Sequence, residues 1–397
     1  VKILYITRVP YTSIAFIFPL AKRLREQGSI VEFVSGPGIG VKEMEESGFP
    51  FKLLSMDKMS RSFGNIRVIN QISKIIKDGQ YDIVHTYTPV MGVYGRLAAY
   101  KAKAPVLFHS VIGSLLASGV PLSHRLLFLT SEWLTSRMVD LFITLNDEDA
   151  RAMVKYRMTS ADKVVSLKYE YGIDLNKFNP EVIDKLQLEE ARTRYRLQND
   201  IPVIGFIGRM IGAKGIIDLF EAYKLIRAGG IRLKLAYVGG VISTDGDRES
   251  IELLMKRVKE SGYEEDVVFF GLQTDVPFYI SMMDIVVHPT HHEGFPRIPV
   301  EAGAMGKPSV CTAVPGANVA IEEGKTGFIV PIKSPERMAD AIKIIIANPE
   351  LAKNMGNAAR KRVVDLFDQN KIVDQQIKIY EEFFKKKKER HRTRTLN

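Results

Sequence analysis

Short runs of β-branched and aromatic residues alternate with amphipathic stretches along the whole of this 397-residue chain. That rhythm limits the fold more than any other feature. In the first half the strand-like runs are KILYIT (2–7), IVEFVS (30–35), FKLLSM (51–56), DIVHTYT (82–88), VLFHSV (106–111), LFITLN (141–146) and KVVSLK (163–168). Amphipathic stretches such as Ala15 to Gln27 and Asn65 to Asp78 lie between them. Strands that are almost continuously apolar and separated by helices predict a parallel sheet covered on both faces. A polar stretch with Pro180, residues 175–200, interrupts the pattern and reads as a linker with a short helix. The rhythm then restarts as PVIGFIG (202–208), LKLAYVG (233–239), VVFFG (267–271), DIVVHPT (284–290), PSVCT (308–312) and GFIV (327–330). The expected class is α/β, with two doubly wound Rossmann-like domains. The expected divisions are a domain over 1–174, a linker over 175–200, a second domain over 201–370, and a C-terminal helix with a basic tail over 371–397.

Composition narrows the function classes. The chain is 46% hydrophobic and 26% charged, with a mean hydropathy of -0.03, which excludes wholesale disorder and a polytopic membrane protein. A single cysteine, Cys311, excludes a disulfide framework and a multi-cysteine metal site. The net charge is +10, but KKKKERHRTR (385–394) holds seven Lys or Arg against one Glu, so the other residues carry only +4. Nucleic acid is therefore not expected as a partner. An anionic membrane surface is the partner expected for 385–394. The apolar run Ile14 to Leu20 is too short to span a bilayer and contains Pro19, so a soluble or peripheral protein is expected.

Three motifs are decoys. GPGIG (36–40) has the wrong glycine spacing and follows the second strand rather than the first. EEGKTG (322–327) lacks the first glycine of a phosphate loop, because position 319 is Val. His291 and His292 precede Glu293, but no HExxH pattern follows.

Two further elements carry chemistry. GRMIGAKG (208–215) sits where a strand gives way to a helix. Gly208 and Gly212 permit close backbone approach, and Arg209 and Lys214 lie beside a helix N-terminus, which suits a diphosphate. HHEGFPRIPVEAGAMG (291–306) places Glu293 in a loop and Glu301 a turn or so into the next helix. Carboxylates beside a phosphate repel it, so these two are expected to accept hydrogen bonds from hydroxyls.

On these residues the second half resembles the family-4 retaining glycosyltransferases of GT-B fold. GRxxxxKG is present as Gly208, Arg209, Lys214 and Gly215, and Glu-x7-Glu as Glu293 and Glu301. FIFPLAKRLREQG (16–28), YDIVHTYTP (81–89), HSVIG (109–113) and YGIDLNKFNP (171–180) resemble the acceptor domain of the capsule and exopolysaccharide branch. The resemblance implies two domains facing across a cleft, with the acceptor side in 1–174 and the nucleotide-sugar donor side in 201–370. It implies that Arg209 and Lys214 bind the diphosphate, Glu301 the ribose and Glu293 the transferred sugar, with His109 near the reacting centre. Gly208, Gly212, Gly294, Phe295, Pro296 and Arg297 complete the implied donor site. The implied donor is a UDP-sugar carrying a hexose or N-acetylhexosamine. The implied acceptor is a lipid-linked or soluble glycan, and the implied location is cytoplasmic, peripheral on the inner face of the cell membrane. No cofactor is expected. No Asp-x-Asp metal-binding motif is expected in the chain, which fits a metal-independent reaction.

Two positions depart from the family's pattern. RVPYTSIAF (8–16) stands where many relatives carry adjacent glycines, and Tyr171 where an Asn usually precedes GIDL. Two other readings stay open on the sequence. One is a sugar-nucleotide epimerase of the same fold, and the other is a non-catalytic polyanion-binding protein on this scaffold. The run GSLLASGVPLSHRLLFLTSEWLTSRM (113–138), apolar and basic, is expected to form a rim for a lipid-linked acceptor.

Overall fold

In the computed structural model, residues 1–55, 66–112, 130–167, 169, 172–197, 200–241 and 247–395 are described, with side chains as far as Lys387. Each apolar run of the sequence contains one strand. The first seven are β1 (Lys2–Thr7), β2 (Ile30–Ser35), β3 (Phe51–Leu53), β4 (Ile83–Tyr87), β5 (Leu107–Val111), β6 (Leu141–Thr144) and β7 (Val164–Ser166). They form one parallel sheet in the order β3-β2-β1-β4-β5-β6-β7. The remaining six are β8 (Val203–Ile207), β9 (Lys234–Val238), β10 (Val267–Gly271), β11 (Ile285–His288), β12 (Ser309–Thr312) and β13 (Gly327–Val330). They form a second parallel sheet in the order β10-β9-β8-β11-β12-β13. Both are doubly wound α/β sheets. β1, β4, β5, β8 and β9 are buried along almost their whole length, as strands covered on both faces must be.

The chain divides into two compact units. One unit is Val1–Tyr171 with Gln369–Asn397, and the other is Gly172–Asp368. The stretch expected as a linker packs on the second unit, and its helix is Lys185–Arg194. Arg360 donates to the carbonyls of Phe178 and Ala304 and to Asn179 Oδ1, and Arg192 donates to the Met282 carbonyl at 2.7 Å. Phe178 and Leu197 are buried there.

The final helix, Gln369–Thr395, belongs to the first unit because its apolar face completes that core. Val373, Ile377 and Tyr380 are buried with β1, β4 and β5 residues, and Phe383 meets Phe108 edge-on at 4.8 Å. Arg23 pairs with Asp374 at 3.0 Å, and Lys387 donates to the Pro105 carbonyl at 2.8 Å. At the centre of this contact His85 Nδ1 is hydrogen-bonded to the Tyr380 hydroxyl, which also meets Tyr5 Oη at 3.1 Å. His85 Nε2 is 2.9 Å from Ser110 Oγ.

Burial pushes the His85 imidazole down to about 3 from its ordinary 6.5. It is neutral when folded, whereas the unfolded chain binds a proton below 6.5. The first unit is therefore expected to lose stability as pH falls from 6.5 towards 3, by about 1.4 kcal/mol per unit from this group. Calorimetric unfolding between pH 7.5 and 5 measures this. His85→Asn should flatten the slope, and an unchanged slope rejects the assignment.

Candidate functional site

β8 and β11 lie side by side where the strand order of the second sheet reverses. Ligands in such sheets bind outside the strand carboxyl ends at this switch point. The two chemistry-bearing motifs leave the sheet there, one from each strand.

The first motif is shaped by close backbone contacts. Gly208 has φ +152° and donates to the Val238 carbonyl at 2.9 Å. Gly239 faces it with φ +142°, and a Cβ on Gly239 would lie 1.7 Å from Gly208 O. Arg209 follows and is exposed. Gly212–Lys214 form one 3-10 turn, and Gly215, with φ +68°, begins the helix Ile216–Ala228. A Cβ on Gly215 would meet the Pro289 carbonyl oxygen at 2.0 Å. The Gly212 amide, an expected phosphate donor, donates to Asp247 Oδ2 at 2.8 Å. Hydrogen bonds from Ser250 and that amide hold the Asp247 carboxyl below its usual range.

The second motif is laced to the first. His291 N donates to the Ala213 carbonyl at 2.9 Å, and His291 Nε2 lies 2.6 Å from Asp218 Oδ2 at the start of Ile216–Ala228. Glu293 Oε2 pairs directly with the Lys214 ammonium. The structure thus joins a residue of each motif in one ion pair. Burial alone would raise the Glu293 carboxyl, but the His288 ring and the Lys214 ammonium outweigh it and bring it to about 2. Glu301 lies on the helix Arg297–Ala304, is 8% exposed, and accepts from Arg297 Nε at 2.9 Å. There burial wins and raises the carboxyl, with Arg297 working against it.

Gly294 stands between Glu293 and Phe295 in the loop. Phe295 and Pro296 are buried. The Phe295 ring packs 6.1 Å from that of Phe367 and against Gly316, so only its backbone is placed to meet a ligand.

In the first unit His109 lies within β5, in register with Thr86 of β4 and Phe142 of β6, rather than after the strand. It is 3% exposed, and its Nδ1 is 2.8 Å from Thr86 Oγ1. Burial, and then the nearby Arg96 charge, hold its imidazole well below the ordinary value. A side chain on Gly92 would strike the ring at 2.5 Å. One turn on, Arg96 donates from Nε to the Gly92 carbonyl and forms a fully buried ion pair with Glu132. The sequence signalled this support only through the small and charged residues of GVYGRLAA (92–99). Of the expected acceptor rim, 113–129 lies outside the described residues, as does Tyr171. Trp133 and Leu134 are exposed, and Arg137 stacks over the Trp133 ring.

Asp-x-Asp triplets do occur in the chain, which corrects one ground for expecting no metal. Asp147-Glu148-Asp149 opens the helix Asp147–Lys155, with Asp149 bonded to Asn146. In Asp245-Gly246-Asp247 the first two residues lie outside the described ones, and Asp247 is engaged by Gly212. Among the described residues no group of three or more His, Cys, Asp or Glu is arranged to hold a metal. No helix among them is long and apolar enough to cross a membrane.

The Gly215 contact gives a sharp expectation. Gly230 shares its positive φ, at +84°, but has open space around it. Gly230→Ala should cost about 1 kcal/mol, the usual left-handed penalty. Gly215→Ala must also displace the backbone after β11 and should cost roughly 3 kcal/mol or more. Equal losses in calorimetric unfolding would show that the contact is not tight.

The family model for glycosyl transferases group 1 matches residues 188–362, and that for the glycosyl transferase 4-like domain matches 15–169. The capsular polysaccharide biosynthesis glycosyltransferase CapM of Staphylococcus aureus is 26% identical over 364 residues, covering 91% of this chain and 92% of that protein. An Escherichia coli UDP-Gal:alpha-D-GlcNAc-diphosphoundecaprenol alpha-1,3-galactosyltransferase is 25% identical over 310 residues, 78% of each chain. The crystal structure of Anabaena HepE (Alr3699) in complex with UDP superposes with a TM-score of 0.82 at 20% identity, covering 96% of this chain and 100% of that one. A glycosyl transferase 4-like domain on the first unit and a glycosyl transferases group 1 domain on the second thus make this chain a glycosyltransferase.

Proposed function

We propose that this glycosyltransferase moves a hexose or N-acetylhexosamine from a UDP-sugar to a glycan or polyprenyl-diphosphate-linked sugar, with retention and without a metal, in surface polysaccharide synthesis. The observation that carries the reading is the pair of motifs at the β8/β11 switch point, joined by Lys214 and Glu293. The relatives add support, since one is named for a UDP-galactose donor and a diphosphoundecaprenol acceptor. Arg209, Lys214 and the glycine-loop amides hold the diphosphate, whose leaving oxygen gains negative charge as the glycosidic bond breaks. The Gly212 amide must first exchange Asp247 for phosphate. Glu301 accepts ribose hydroxyls, and Glu293 and the Gly294–Arg297 backbone face the sugar. The acceptor hydroxyl attacks the anomeric carbon on the face the diphosphate leaves, and its proton passes to the departing phosphate oxygen. No protein nucleophile is needed. His109, held by Thr86 and Gly92, serves the reacting centre as a neutral imidazole.

Binding and turnover separate these roles. Arg209→Ala should weaken UDP roughly ten- to a hundred-fold, the loss of one charge-assisted contact. Glu301→Ala should weaken UDP as well. Glu293→Ala should leave UDP affinity nearly intact and cut transfer. Calorimetry together with a diphosphate-release assay over a panel of nucleotide sugars reads all three. Unchanged UDP affinity in Arg209→Ala defeats the site, and diphosphate release that ignores the acceptor favours the epimerase reading.

The basic tail is the basis for a peripheral role at the cytoplasmic face. Each Lys or Arg beside an anionic leaflet contributes roughly 1 kcal/mol. Full-length protein should sediment with liposomes containing anionic lipid, and a version ending at Phe384 should sediment less. Equal bound fractions with or without the tail reject this part of the reading.

A further inference from the structure

Which nitrogen of His109 is left for a ligand is decided on the neighbouring strand. Thr86 of β4 is the register partner of His109 on β5 and is fully buried beside it. Thr86 Oγ1 lies 2.8 Å from His109 Nδ1 and donates to the Phe108 carbonyl at 3.2 Å. A hydroxyl has one hydrogen to give. With that hydrogen spent on Phe108, the contact with the ring runs the other way, and the Nδ1 N–H donates to Oγ1. The Thr86 backbone adds a hydrogen bond of the same sense, one that favours a proton on the ring.

The packing keeps the ring in this arrangement. Its Cε1 edge faces Gly92, where a Cβ would lie 2.5 Å away. Its plane meets that of Phe142 at 85°, with centroids 5.9 Å apart. Gly92 is held in turn, because its carbonyl accepts from Arg96 Nε at 3.1 Å and Arg96 is fixed by its buried pair with Glu132. A buried ion pair is weak evidence for stability, since apolar residues of similar volume often do as well. Here its geometric result is a helix turn pressed against the imidazole.

We infer that Thr86 is a positioning residue for His109: by accepting the Nδ1 proton it fixes the tautomer whose lone pair is on Nε2, so that His109 meets a ligand hydroxyl as a hydrogen-bond acceptor. The inference rests on the reading above that places His109 at the reacting centre. In a neutral imidazole one nitrogen donates and the other accepts, and the bond made by the first sets the role of the second. The opposite tautomer would present an N–H, which suits a phosphate oxygen. With Nδ1 engaged by Thr86, the chemistry left to His109 is that of a base towards a hydroxyl of the transferred sugar or of the acceptor.

The test reads the tautomer directly. In the full chain with nitrogen-15-labelled imidazoles, long-range proton–nitrogen correlation at neutral pH distinguishes a protonated from an unprotonated ring nitrogen. His109→Ala identifies the signal among the 7 histidines. Wild type should carry its proton on Nδ1. Thr86→Val keeps the shape of the side chain, removes the acceptor and should move the proton towards Nε2, and Thr86→Ser should restore the wild-type pattern. Turnover should follow. In Thr86→Val the kcat for UDP release from a UDP-sugar should fall roughly tenfold, the loss of one neutral hydrogen bond, with UDP affinity by calorimetry unchanged. Thr86→Ser should recover most of that loss. A proton on Nε2 in the wild type overturns the inference without any variant having to fold, and so does a wild-type kcat in Thr86→Val. Full turnover in His109→Ala overturns the place given to His109, and this inference with it.

Discussion

At the carboxyl edge of the second sheet, backbone meets backbone more closely than any side chain allows. Gly239 abuts the carbonyl of Gly208, and Gly215 abuts that of Pro289. The second contact brings the turn carrying Lys214 against the loop carrying Glu293, so the ion pair between the motifs is a product of main-chain geometry. The Thr290 and His291 bonds to the Ala213 carbonyl, and the His291–Asp218 pair, then fix the loops in register. A long cationic side chain is a poor positioning device by itself because of its rotamer freedom. Here the freedom is removed by the frame beneath it.

The same frame gives two carboxylates opposite characters. Glu293, a quarter exposed and beside a cation, is held at about 2, whereas Glu301 is pushed upwards by deeper burial despite its bond to Arg297. Pairs of ionisable groups driven apart in this way mark division of labour. Glu293 is a permanent negative charge. Glu301 is a carboxyl whose charge is expensive to keep, and hydroxyl donors on a ligand would relieve that cost.

Much of this was legible in the sequence because strand cores are written locally. Every apolar run yielded its strand, and the restart after 175–200 announced the second sheet. The donor-side motifs were legible because glycine, cation and carboxylate are rare together at a strand end. The packing of 175–200 on the second unit and the return of the last helix to the first were not, since they depend on pairing between distant segments. Arg360 holding Phe178, or Tyr380 meeting His85, leaves no local pattern. His288 escaped notice because a histidine at the end of VVH reads as a strand residue until its neighbours are known. The Arg96–Glu132 pair was hidden for the same reason, being 36 residues apart along the chain.

The return of Gln369–Thr395 to the first unit bears on how the molecule is made. The second unit's ends lie together, with Ile173 N donating to the Phe367 carbonyl at 2.6 Å, so it is an insertion within the first. During synthesis the ribosome releases all of Gly172–Asp368 before Tyr380 emerges to close the core around His85. The usual order, in which the leading domain matures first, is thus reversed. Ile17, Leu20 and Leu24 can cover part of the first sheet's apolar face at once, but the part that Val373, Ile377 and Tyr380 cover must wait through the translation of an entire second domain.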